Sequence, residues 1–200
     1  MTSWKNDFFA MFGNRFFCFA WLVFGLGYVT WFGFLKNPMD FTASMIGLDY
    51  PKAFKMWAAI SIISIAVNVL YMYRRYGYAG RAGKICMAIG ACSLAATVHI
   101  PSTEIMSVQL VAHWSTALLF AILNAVALGM FLLHVGKRNR RMMLTFVLFI
   151  ALLVVMLVWL ATGKNGVQEK LPIWGSYIIL FLVNFTGIYG VKEERKEALA

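Results

Sequence analysis

The chain has 200 residues, of which 62% are hydrophobic and 13% charged, with a mean hydropathy of +0.74. Soluble domains run near half apolar and a quarter charged, so this balance excludes an ordinary water-soluble fold and indicates a protein of the bilayer. A net charge of +10 raises nucleic-acid binding as a role, but the placement of the basic residues described below excludes it.

In chain order, residues 1–15 place Trp4, Phe8 and Phe12 at four-residue spacing, a row continued by Phe16, with Lys5, Asp7 and Arg15 off it. That pattern reads as a short helix lying in the inner interface. The first span, 16–35, is rich in Phe, Trp and Gly and lacks a small-residue cleavage site, so it is expected to remain as a helix and not to be removed as a signal peptide. Residues 36–53 mix polar groups with Met45, Ile46, Leu48 and Tyr50. They are expected to fold back as an outer capping loop, with Gly47 allowing the turn and Pro51 starting the next helix. Further spans are expected at 54–73, 85–100, 108–134, 142–161 and 172–191, mostly near the ~20 residues that cross a bilayer as helix. Residues 192–200 form a charged cytoplasmic tail. The expected fold class is all-α: a polytopic membrane protein, one six-transmembrane-helix bundle over 1–200, multi-pass in the cell membrane.

Orientation follows from the cations. Lys5 and Arg15, then Arg74, Arg75, Arg81 and Lys84, then Lys137, Arg138, Arg140 and Arg141, then Lys192, Arg195 and Lys196 put thirteen basic residues on one side of a six-span chain. Only Lys36, Lys52, Lys55, Lys164 and Lys170 fall on the other. By the positive-inside rule both termini are cytoplasmic, and the charge serves topology and contact with anionic lipid, not nucleic acid. No Asp, Glu, Lys or Arg falls in the middle of a span, which argues against a pump or an ion-coupled transporter. Asn68, Asn124 and Asn184 do lie deep in spans; they read as interhelical hydrogen-bonding groups or as a polar path through the bundle. Cys18, Cys86 and Cys92 all fall inside spans, where small apolar packing is the common role.

The candidate site is on the outer side. His99 closes the third span and His113 lies about one turn into the fourth, joined by a loop containing Ser102 and Glu104, with Trp114 alongside. His134 is 21 residues farther along the same helix, roughly 32 Å at 1.5 Å per residue, and belongs with the inner basic loop. A metal site would need a third ligand from Glu104, Asp40, Asp49 or Glu169, and no close-spaced ligand motif is present, so no metal and no cofactor is expected. His113, Glu169 and the 44–51 segment are expected to meet around one outer pocket, because a histidine facing lipid would be poorly satisfied.

These residues carry a resemblance. Ser44, Gly47, Pro51 and Phe54 stand in an order similar to the outer loop of the six-span FRAG/DRAM/SFK proteins and their prokaryotic relatives, a domain of unknown function. The stretch His113 to Phe120, "HWSTALLF", is similar to the start of their fourth helix, and Glu169 and Lys170 to an acidic-basic pair opening the sixth. The resemblance implies a six-helix bundle with its polar cluster on the non-cytoplasmic side and a role in lipid organisation or membrane regulation. The ligand-binding residues expected for such an outer pocket are His113, His99, Glu104, Ser44, Asp49, Glu169 and Trp114.

Three functions compete. The first is a lipid-interacting or regulatory protein without catalysis. The second is a metal-dependent lipid hydrolase using His113, His99 and an outer carboxylate. The third is a carrier of a small neutral or amphipathic solute lined by the three asparagines. Membrane lipids are the expected partners, with a homo-oligomer or a partner membrane protein left open.

Overall fold

The computed structural model describes residues 13–100, 102, 107–162 and 165–190. The interfacial row at Trp4, Phe8 and Phe12, the loop residue Glu104 and the tail 192–200 lie outside the described residues. The fold is all-α, with seven helices among the described residues: α1 Arg15–Gly33, α2 Ala43–Asp49, α3 Pro51–Arg75, α4 Arg81–Thr97, α5 Val108–Gly136, α6 Arg140–Thr162 and α7 Gly166–Phe185.

Each start has a local cause. The Asn14 side chain accepts from the Phe16 and Phe17 amides at α1, and Ser107 caps α5. Asn139 accepts from the Arg141 and Met142 amides at α6. These side chains satisfy amides that have no partner within the helix. Pro51 occupies the first turn of α3, where its missing N–H costs nothing. Gly80, at φ 42°, supplies the left-handed turn before α4.

Two expectations change. Gly47 is not a turn residue but lies within α2, a helix not foreseen in the capping segment. A Cβ there would sit 2.6 Å from the Phe54 ring, so Gly47 is the seat on which α3 packs. The last helix begins at Gly166 and not at Pro172, because Asn165 and Gln168 form a reciprocal capping box that starts it earlier. It also ends earlier than expected, at Phe185.

The six longer helices run alternately up and down in a ring, α1 against α3, α3 against α4, α4 against α5, α5 against α6, α6 against α7, and α7 back on α1. Contact between α3 and α7 closes the middle. Four of them, α1, α3, α5 and α6, are long and apolar enough to cross a membrane. The surface supports that class. On α6 the exposed side chains include Leu144, Val147, Leu148, Val154, Val155, Leu157 and Val158. Such a face would be an aggregation surface in water and is stable against hydrocarbon.

Polar groups are also built into the largely apolar interior. Ser61, Ser64 and Asn68 of α3 and Asn184 of α7 are fully buried. Asn184 donates to the Asn68 carbonyl at 3.0 Å, joining α7 to α3. Ser64 donates to the Trp21 carbonyl of α1 at 2.7 Å. Asn124 is apart from these: it donates to Phe120 of its own helix, against Gly90 of α4.

One end of the ring is built from arginines. The carbonyls at the end of α7 accept from Arg15 (Phe185, 3.0 Å) and from Arg75 (Asn184), while Arg141 donates to Ile188 at 2.7 Å. Three guanidiniums from α1, α3 and α6 thus cap carbonyls at or just beyond the negative end of α7's dipole. His134 lies at the same end with its ring 4.9 Å from that of Tyr78. The opposite end carries α2 and is called the cap end below.

Candidate functional site

The cap end is organised around residues 41–44, which lie between the exit of α1 and the first turn of α2. Gly166 allows the start of α7 to lie against this segment backbone to backbone. A Cβ there would be 2.8 Å from both the Phe41 carbonyl carbon and the Pro38 carbonyl oxygen. That approach delivers the next residues of α7 to the cap. Glu169 accepts from the Ala43 amide at 2.8 Å. Lys170 donates to the Phe41 carbonyl at 3.4 Å, its stem lying across Gly33 of α1.

From the other side comes α5. His113 is 1% exposed and bonded through both ring nitrogens. Nε2 lies 2.7 Å from the Ser44 hydroxyl and Nδ1 lies 2.8 Å from the Ile100 carbonyl. A carbonyl oxygen only accepts, so in the neutral ring Nδ1 carries the hydrogen and Nε2 offers a lone pair to Ser44. Consecutive residues Ala43 and Ser44 are therefore held by α7 and α5 respectively.

The remaining expected residues are placed as follows. His99 is exposed in the turn after α4, and its Nδ1 turns back to the Ala95 carbonyl at 2.8 Å, away from the His113 cluster. Asp49 forms an ion pair with Lys36 on the surface of the cap. Trp114 is exposed on α5. Among the described residues no group of three His, Cys, Asp or Glu side chains is arranged to hold a metal ion.

Lys170 is the residue whose importance sequence reasoning missed. It stood only as half of a pair opening the last helix, yet it is 3% exposed and its ammonium, with three hydrogens to give, has one long hydrogen bond. The signal that could have found it is its place next to Glu169 in the capped first turns of α7.

A separate groove of about 750 Å3 runs between α1 and α7, lined by Leu22, Leu26, Trp31, Tyr177 and Phe181 among others. Its walls are apolar and it does not include the His113 cluster. Compared with known proteins, the chain matches no family model, no curated protein and no solved structure. The class rests on the fold itself: an all-α protein with four helices long and apolar enough to cross a membrane.

Proposed function

We propose that the protein is a six-span protein of the cell membrane, with both termini cytoplasmic, that binds anionic lipid headgroups at its cap end. In this reading α4 and α7 also cross the bilayer, and the arginine end faces the cytoplasm. All eight arginines of the chain belong to that side, whereas the cap side has lysines only. The resemblance to the FRAG/DRAM/SFK group leads to the same expectation of lipid work at the non-cytoplasmic face.

Lys170 carries the proposal. A buried ammonium is costly unless its hydrogens are taken up, and one carbonyl at 3.4 Å does that poorly. It lies in the first turns of α7, at the cap end, which this reading places at the depth of lipid phosphates. The exposed apolar side chains Met45 and Leu48 of α2, with Tyr50 just after it, give the cap a hydrocarbon-facing surface. A phosphate entering under the 36–42 segment takes up the hydrogens that Phe41 leaves.

The test is Lys170→Met, which keeps the stem and removes the charge. Affinity for phosphatidylglycerol, measured on detergent-purified full chain, should fall at least ~10-fold, about 1.4 kcal/mol, with phosphatidylcholine binding unchanged. The variant should be as stable as the parent or more so. Equal binding of both lipids by the parent, or no effect of the substitution, sinks the proposal.

Topology is checked separately. In a cysteine-free background, a membrane-impermeant thiol reagent added to intact cells should label Ser102→Cys and spare Lys137→Cys. The reverse pattern would put the cap in the cytoplasm.

A further inference from the structure

The structure assigns Ser44 and His113 as a nucleophile and general base for cleavage of an acyl ester in a membrane lipid. This inference rests on the reading that the cap end meets lipid, but it adds a reaction and uses a different pair of residues. The geometry has a nucleophile, a base and an orienting acceptor in series, three of the parts that serine acyl transfer uses. The hydroxyl lies 2.7 Å from Nε2. The other ring nitrogen is held by a fixed acceptor, the Ile100 carbonyl at 2.8 Å, in the place usually taken by a carboxylate. That contact orients the ring and selects the tautomer whose Nε2 accepts.

Burial is divided as the chemistry requires. The base is shut away from water at 1% exposure, while Ser44 is only half-buried and its neighbours Met45 and Leu48 are exposed at 42% and 53%. Met45 and Leu48 give α2 an exposed apolar face beside Ser44. An acyl chain lying along Met45 and Leu48 has its ester group at the interface, level with the first turn of α2.

In the forward step Ser44 Oγ bonds to the ester carbonyl carbon and its proton passes to His113 Nε2. The bond to the alcohol oxygen breaks, and that oxygen takes the proton from Nε2, leaving as lysolipid. Water then attacks the acyl-serine, its proton passing through Nε2 to Ser44 Oγ as fatty acid departs. No oxidant, reductant or metal is consumed.

The experiment uses full-length protein, monodisperse in detergent, and a fluorophosphonate, which loses fluoride as a serine Oγ–P bond forms. Peptide mapping should place the adduct on Ser44, and Ser44→Ala should abolish it. His113→Gln, which keeps a hydrogen-bonding group without the base, should slow labelling at least ~100-fold. If that variant is unfolded, the parent's adduct map and lipid turnover decide. Phosphatidylglycerol vesicles in 18O-water should yield fatty acid carrying the label. Absence of a Ser44 adduct on folded parent, unchanged labelling in folded His113→Gln, or an adduct without fatty acid release each overturns the inference. Failure here is distinguishable from failure of headgroup binding, because the adduct on Ser44 reads the serine–histidine pair alone, whereas the phosphatidylglycerol affinity of Lys170→Met reads the ammonium.

Discussion

Gly166→Ala should be among the most damaging single-methyl additions in the protein. The new carbon would overlap the Phe41 carbonyl oxygen and lie 2.8 Å from the Pro38 carbonyl oxygen. Backbone atoms cannot rotate aside as a side-chain tip can, so either α7 or the 37–41 turn must move. That turn is held by the Asp40 and Phe41 amides bonding to the Asn37 carbonyl. Movement of α7 withdraws Glu169 from Ala43 and Lys170 from Phe41 together. Overpacking of this kind costs roughly 3 kcal/mol, which for a chain of this size lowers a melting midpoint by about 10 °C. Thermal unfolding in detergent, followed by size-exclusion chromatography, checks it. A midpoint within 2 °C or so of the parent would show that the cap is not seated on α7 as described.

The second large effect is expected at Gly25→Val, in the middle of the bundle. A Cβ at this position would be 2.6 Å from Ser64 Cβ and 2.7 Å from the Tyr177 hydroxyl oxygen, so α1 meets α3 and α7 at one point. Valine adds two further methyls where alanine already clashes. The Ser64 bond to the Trp21 carbonyl breaks, and the buried Tyr177 moves from its seat. A loss on the order of 3 kcal/mol is expected, measured by the same unfolding assay. Gly27→Ala is the internal control, because a Cβ there has nothing within 4 Å; it should be neutral or stabilising by ~0.5 kcal/mol. Equal behaviour of the two variants would contradict the three-helix crossing.

The long helices were legible because apolar runs near bilayer length are bounded by basic clusters, and both signals are local. The seven-residue α2 was not, since "ASMIGLD" has neither length nor periodicity and is shaped by Phe54 packing on Gly47. The start of α7 was misread because proline at a helix start is a common signal, whereas the capping pair Asn165 and Gln168, seven and four residues upstream, is a stronger one. In the candidate site, His113 and Glu169 stood out as polar residues bordering apolar spans. Their attachment to adjacent residues, Ser44 and Ala43, depends on how α5 and α7 approach the cap. The burial of Lys170 could not be read at all, because it is produced by Gly33 on a helix distant in sequence. His99 carried the same local signal as His113 and ended on the surface, since the turn after α4 directs it back to Ala95.

The arginines that cap α7 bear on the order in which the chain is made. Arg15 and Arg75 emerge from the ribosome long before the carbonyls of Asn184 and Phe185 that they hold exist. Until then these guanidiniums lack the carbonyls that fix them, and the groove formed by α1 and α3 on that side has no final occupant. The last helix is thus the keystone of biosynthesis: its arrival exchanges transient solvent contacts for fixed ones on three earlier helices at once. A nascent chain stopped before α7 would leave that end of the ring open.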